Sequence, residues 1–234
     1  MPVRGCGDAP AYLPVRHTQG TGALMSAAHI HPPGSSPRPD LQFRVRQRLT
    51  LMINRYEVYA VDAAGAETGL VAFAEQKRMA FKEQVTFYSD SAKTSPLFGF
   101  KARQVMDLGA TYDVTDAHGI PIGWFKKEFG ASLARSTWTL GTPDGFTARG
   151  QERNAKVAVL RRVWDLIPVV GEIPVPFLFH FDFQAPDGQV VLSSTKRPAL
   201  RDVYEVTVPT LDGWQLDWRV AVAMAVALDA LQSR

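Results

Sequence analysis

The chain has 234 residues, of which 46% are hydrophobic, 21% charged and 10% aromatic. This composition excludes a disordered polar protein, a collagen-like fibre and a small disulfide-bonded scaffold, and it provides enough apolar surface for a folded core. Lysine and arginine number 26 against 23 aspartates and glutamates, so the formal net charge is only +3. An excess this small does not indicate a nucleic-acid partner.

Residues 1–40 differ from the rest of the chain in composition. They hold seven of the sixteen prolines and three of the five histidines, without a periodic apolar pattern. We expect a Pro-rich, disordered N-terminal arm here and a single folded domain over residues 41–234. The arm lacks the basic flank and apolar run of a secretory signal, and the single cysteine, Cys6, excludes an intramolecular disulfide. Both observations favour a cytoplasmic location.

From residue 41 onward, short segments rich in β-branched and aromatic residues are separated by turns that contain Asp and Gly. This pattern is typical of antiparallel strands joined by hairpins. The predicted strands are residues 43–53, 55–61, 69–75, 79–88, 97–106, 110–115, 120–127, 134–140, 145–149, 177–184, 189–195 and 202–208. So many hairpin-linked strands favour a sandwich or a barrel, because sheet edges must be paired or covered.

Residues 151–165 interrupt the strand pattern. Val157, Leu160 and Trp164 recur at helical spacing while charged residues occupy the other faces, which predicts an amphipathic surface helix. The following segment, residues 167–176, contains three prolines among apolar residues. We expect a loop there that folds over one barrel end or dips into a membrane or a partner.

The last apolar segment, residues 216–231, contains nine consecutive apolar residues over 220–228. Alanine alternates with larger side chains, which a strand would also tolerate, but alanine is the best helix former and Asp217 can cap a first turn. The apolar run is shorter than the roughly 20 residues of a membrane span. A helix that is apolar on every side must be surrounded, so we expect the strands to close around it.

Four segments carry a family resemblance. They are residues 58–77 (VYAVDAAGAETGLVAFAEQK), 109–140 (GATYDVTDAHGIPIGWFKKEFGASLARSTWTL), 180–188 (HFDFQAPDG) and 200–232. These segments resemble the LURP-one-related and phospholipid scramblase proteins of the tubby C-terminal-like group. The resemblance implies a closed antiparallel β-barrel of about twelve strands enclosing a central hydrophobic C-terminal α-helix. It also suggests phospholipid movement or phosphoinositide binding as activities to consider.

The sequence does not support a metal or cofactor site. Asp212 and Asp217 stand where the scramblase family has a dense acidic segment, but two carboxylates are too few for calcium, which takes six to eight oxygens. We expect a turn residue at Asp212 and a helix cap at Asp217. His29 and His31 likewise lack further ligands for a metal. Without a phosphate loop, a Cys/His metal set or a nucleophile elbow, we expect a non-enzymatic protein that needs no cofactor.

Basic residues supply the candidate binding site. Arg44, Arg46 and Arg48 alternate along the first predicted strand and therefore share one face, and Lys126 and Lys127 would add to it if the fold brings them together. We predict that these five residues bind anionic phospholipid at a membrane surface, where each cation contributes about 1 kcal/mol. The alternative is a soluble protein-interaction or structural module that uses its N-terminal arm to contact a protein partner.

Overall fold

Twelve strands and one helix are present in the residues that the computed structural model describes, which are 39–49, 53–77, 84–104, 110–128, 137–152, 180–197 and 202–232. The strands are β1 (Leu41–Leu49), β2 (Ile53–Val61), β3 (Glu67–Lys77), β4 (Gln84–Tyr88), β5 (Pro96–Ala102), β6 (Thr111–Asp116), β7 (Pro121–Glu128), β8 (Thr137–Gly141), β9 (Thr147–Glu152), β10 (His180–Gln184), β11 (Val190–Arg197) and β12 (Val203–Val208). The helix is α1 (Trp218–Gln232). The fold is therefore mainly β, as the sequence predicts.

The strands form one closed antiparallel barrel. Each strand pairs with its neighbours in chain order, and β12 closes the barrel by pairing with β1. Each predicted strand has a counterpart, although the ends differ by up to five residues. Closure leaves no unpaired sheet edge among these strands, which removes the risk of edge-to-edge association.

Tight turns join consecutive strands at one end of the barrel. In the β6–β7 turn, Asp116 Oδ1 accepts the backbone N–H groups of His118 at 2.8 Å and Ile120 at 2.9 Å, and Gly119 has a φ of 81°. Glycine adopts this conformation without the steric cost that a Cβ imposes. The β2–β3 turn uses Asp62 and Gly65 in the same way. Such turns fix the hairpin register and hence which side chains point inward.

Helix α1 fills the barrel lumen. Each residue from Val220 to Leu228 is at most 6% exposed, and inward aromatic rings such as Phe125, Trp138 and Phe183 surround the helix. The alanines keep the helix slender, so the strands can approach it. Closest approach occurs at Gly123 of β7, where an added Cβ would lie 2.8 Å from Val220 Cγ2.

The segment that leads into the helix confirms the roles predicted for Asp217 and Asp212. Asp217 Oδ1 accepts the backbone N–H of Arg219 at 2.9 Å, which is the hydrogen bond of a helix cap. Asp212 occupies a turn with a φ of 46°.

In the described ranges, no group of three or more His, Cys, Asp or Glu side chains could hold a metal ion. No helix of those ranges has the length and hydropathy to span a membrane.

The last two residues of the predicted arm contact the folded domain. Pro39 and Asp40, assigned to the arm, are hydrogen-bonded to the segment that precedes α1. The Thr210 backbone N–H donates to Asp40 Oδ1 at 2.9 Å, and Gln215 Nε2 donates to the Pro39 carbonyl oxygen at 3.3 Å. These contacts make the two residues part of the barrel. The rest of the predicted arm lies outside the described residues.

The surface helix predicted over residues 151–165 is wrong at its first two residues, and residues 153–165 lie outside the described part of the chain. Gln151 and Glu152 belong to β9, because their backbones pair with β10 on one side and Gln151 pairs with β8 on the other. The helical spacing of Val157, Leu160 and Trp164 does not indicate that the two residues at the start of this segment pair as a strand. The loop predicted at residues 167–176 is likewise outside the description.

The contact between α1 and β7 predicts the effect of one added methyl group. Gly123→Ala should lower the free energy of unfolding by about 1–3 kcal/mol, because the new Cβ overlaps Val220 and the Gly141 carbonyl. Gly69→Ala in β3, where nothing lies within 4 Å of the added Cβ, should change it by less than about 0.5 kcal/mol. Urea unfolding measures both values, and equal stabilities of the two variants would contradict this account of the packing.

Candidate functional site

A buried polar cluster surrounds Asp229 in the last turns of α1. The Tyr56 hydroxyl of β2 donates to Asp229 Oδ2 at 2.9 Å, and the Tyr204 hydroxyl of β12 donates to Oδ1. Gln47 Nε2 in turn donates to the Tyr56 oxygen at 3.3 Å. Burial raises the pKa of Asp229, although the two tyrosine hydrogen bonds oppose this effect. Burial and the Asp229 charge raise the pKa of both tyrosines.

This cluster ties the helix to two strands that close the barrel. Lys196 of β11 adds to it from the side, with its ammonium 5.6 Å from the Tyr204 ring centroid and 2.8 Å from Asp202 Oδ1. The carboxylate is enclosed by its hydrogen-bond donors and by the barrel wall. We therefore interpret the Asp229 cluster as a structural anchor that sets the depth of the helix, and we look for ligand contacts on the outer surface.

The outer face of β11, β12, β1, β2 and β3 carries a set of ion pairs that we call the arginine wall. Its cations are Arg44, Arg46, Arg48, Arg55, Lys93 and Arg197, and its carboxylates are Glu57, Glu67, Glu75 and Glu205. The barrel register brings these groups together, because Arg44 lies directly opposite Glu205 and Arg46 directly opposite Glu57. The wall contains two more cations than carboxylates.

Three of the carboxylates in the arginine wall each bridge two cations. Glu67 Oε1 lies 3.3 Å from Arg44 Nη1 and 2.7 Å from Arg46 Nη2. Glu75 lies 2.6 Å from Lys93 Nζ and 2.8 Å from Arg55 Nε, and the hydrogen bonds from Lys93 and Arg55 hold the pKa of Glu75 below its usual range. Glu205 similarly joins Arg44 and Arg197.

Five of the six cations of the wall reach further into solvent than the carboxylates, and the exception is Arg44, which is 23% exposed against 30% for Glu205. The side chains of Arg46, Arg48 and Arg197 are 44%, 49% and 59% exposed, whereas those of Glu57 and Glu67 are 16% and 17% exposed. Glu57 and Glu67 thus lie close to the sheet, and the guanidinium groups of Arg46, Arg48 and Arg197 project outward. A guanidinium carries five N–H donors, so one that contacts a carboxylate still has donors for a second anion.

A tyrosine side chain helps to orient the central arginine of the wall. The Arg46 guanidinium lies 5.1 Å from the centroid of the Tyr59 ring, and the Tyr59 hydroxyl donates to Glu57 Oε2 at 3.3 Å. Burial and the neighbouring Glu57 charge raise the pKa of Tyr59. The Tyr59 hydroxyl is therefore protonated at neutral pH and can donate to Glu57, while the ring packs against the Arg46 guanidinium.

Lys126 and Lys127 do not join the three arginines. They lie on β7, which is six strands from β1 in a barrel of twelve and hence on the far side. They also face in different directions, because successive residues of a strand alternate. Lys127 lies 5.8 Å from the ring of the inward-facing Trp138. The structure thus brings together three of the five predicted binding residues and separates the other two from them.

Sequence reasoning missed the remaining members of the wall. Arg55 and Glu57 alternate in the segment RYEVYAV, which could have indicated a second charged strand face. The contribution of Glu205 has no local signal, because it requires the last strand to pair with the first. Lys93 lies in the β4–β5 turn and reaches Glu75 across the sheet.

Comparison with known proteins gives a family. A family model described as LURP-one-related matches residues 70–229, which is well over half of the chain. The chain belongs to the LURP-one-related family. No curated protein matches it. The LURP-one-related match begins within β3 and ends at Asp229, so it includes Asp229 and Tyr204 of the anchor. It leaves out β1 and β2, which carry Tyr56 of the anchor and the four arginines Arg44, Arg46, Arg48 and Arg55. Membership of the family therefore does not assign a function to the arginine wall.

The Asp229 anchor predicts a pH-dependent stability. Because the pKa of Asp229 is raised in the folded protein, folding favours its protonated form, and this stabilisation is lost as pH rises from about 3.9, the ordinary value, through the raised value. Asn cannot ionise but can still exchange hydrogen bonds with both tyrosines.

We therefore expect Asp229→Asn to gain stability relative to the unmodified protein as pH rises, at up to about 1.4 kcal/mol per pH unit within that interval. Urea unfolding between about pH 4 and pH 8 measures the difference. A difference that stays constant over this range would show that Asp229 is not held in its protonated form by burial.

Proposed function

We propose that this chain is a non-enzymatic barrel protein that binds the surface of membranes containing anionic phospholipid, as a peripheral protein of the cytoplasm. The arginine wall is the observation that carries the proposal, since its six cations outnumber its four carboxylates and five of the six are more exposed than any of those carboxylates. The family assignment supports the barrel domain and leaves the ligand open.

The geometry of the wall suits phosphate recognition. Guanidinium groups bind phosphate oxygens with paired N–H donors, and an arginine that is free to change rotamer loses conformational entropy when it binds. In the wall, Glu67 holds Arg44 and Arg46, and Glu205 holds Arg197. The carboxylates therefore act as supports that reduce the entropy lost when a headgroup binds. Attraction between exposed charges also falls with added salt, so binding should be salt-sensitive.

The lumen does not offer an equivalent site. Val220–Leu228 are almost wholly buried and occupy the space in which a lipid carrier would hold its ligand. A lipid would instead contact the barrel from outside through its headgroup. This favours attachment at a membrane surface over extraction of a lipid into the protein.

Sedimentation with vesicles tests the proposal. We expect the protein to bind vesicles of phosphatidylcholine that contain phosphatidylserine, to bind pure phosphatidylcholine weakly, and to be released by salt. Arg46→Gln/Arg48→Gln should weaken binding by roughly 5- to 25-fold. Each basic residue near an anionic surface contributes about 1 kcal/mol to binding, and the neighbouring carboxylates reduce this contribution.

A matched control separates the wall from a general effect of charge. Lys126→Gln/Arg149→Gln removes the same two charges from β7 and β9, and it should leave vesicle binding within about twofold of the unmodified protein. Equal binding of the unmodified protein to neutral and acidic vesicles at low salt would overturn the proposal. The soluble protein-interaction module predicted as the alternative would then be the function to pursue.

A further inference from the structure

Two arginines in the wall lie directly opposite each other. Arg48 of β1 pairs in register with Arg55 of β2, and this is the only directly opposed pair of like charges in the strand registers of the described residues. Opposed positions of an antiparallel pair have Cβ atoms about 4.5–5.5 Å apart, and like charges there destabilise a sheet. A feature that costs stability in this way calls for a compensating function.

No carboxylate among the described contacts bridges the two arginines. Arg48 contacts Glu57 through Nη2 at 3.2 Å, and Arg55 contacts Glu75 through Nε at 2.8 Å. Elsewhere in the wall, neighbouring cations share a carboxylate, as Arg44 and Arg46 share Glu67. The opposed arginines share no such partner among the residues that the structure describes.

The two side chains are also available to a ligand. Both are about half exposed and point to the outer face. The contact with Glu57 uses one nitrogen of Arg48, and the contact with Glu75 uses one nitrogen of Arg55, so the remaining guanidinium donors of both can face a common anion. An anion placed between them would supply a bridge that no carboxylate of the described contacts supplies.

We propose that Arg48 and Arg55 form a binding site for a phosphate monoester. A monoester carries a charge of about −1.5 to −2 at pH 7 and three terminal oxygens, which match two guanidinium groups. A phosphodiester carries one negative charge and only two terminal oxygens, so it offers the two guanidinium groups less charge and one acceptor fewer. The inference deepens the proposed function, because it selects lipids with a terminal phosphate among the anionic lipids. Inorganic phosphate offers the same chemistry in solution.

Thermal unfolding with inorganic phosphate tests the site in solution. Without phosphate, Arg48→Gln should unfold at the same temperature as the unmodified protein or roughly 1–3 °C higher, because the repulsion is relieved. Phosphate should raise the unfolding temperature of the unmodified protein relative to chloride at equal ionic strength, and it should have no such effect on Arg48→Gln or Arg55→Gln.

Arg103→Gln is the matched control. Arg103 is also exposed and paired with one carboxylate, Asp113, but it lies at the end of β5, outside the wall. This variant should keep the full response to phosphate. An equal phosphate response in all four proteins, or none in the unmodified protein, would overturn the inference.

Vesicles distinguish a lipid headgroup from free phosphate. At matched surface charge, the unmodified protein should bind vesicles containing phosphatidic acid about fivefold or more tightly than those containing phosphatidylserine, and Arg48→Gln should lose this preference. Equal binding to both lipids would refute the preference for monoesters while leaving the proposed membrane binding intact. Binding to neither lipid, with the phosphate response retained, would refute membrane binding and keep a site for soluble phosphate.

Discussion

Burial of the apolar helix α1 is the constraint on which the rest of this structure depends. A closed barrel of twelve short strands needs a filled interior, and a helix that is apolar on all sides needs a complete enclosure. The two requirements meet because alanines keep the helix thin and Gly123 lets β7 approach it. The outer face is thereby left to polar and charged residues, which is where a ligand can be recognised.

The Asp229 anchor completes this arrangement at the end of the helix. Apolar packing alone would tolerate a helix displaced along the barrel axis, whereas two tyrosine hydroxyls on one carboxylate specify a single position. These directional bonds offset part of the cost of burying the carboxylate, and the rest appears as its raised pKa. The anchor and the apolar core therefore play different parts, since one fixes the position of the helix and the other supplies most of the stability.

Local signals made the strands and the helix predictable. Alternating side chains, Asp-Gly turns such as Asp116–Gly119, and the apolar run of the last segment are all read within a few neighbouring residues. The charge partners of the arginines were not predictable in this way, because the contact between Arg44 and Glu205 joins residues at opposite ends of the domain. The sequence alone does not give the position of Lys126 in the strand order, so it cannot separate this lysine from the arginines. In the barrel, Lys126 lies on the side opposite β1.

The pairing of β1 with β12 has a consequence for when recognition becomes possible. Arg44 and Arg46 belong to the first strand, while Glu205 and Arg197 come from the last two. A growing chain that has not yet produced its last strands cannot assemble this surface, and neither can a fragment that lacks them. Since the helix that fills the lumen follows β12 in the chain, the binding surface and the finished core arise together. The part of the wall that Arg44, Arg197 and Glu205 build would thus exist only in completely synthesised, closed molecules.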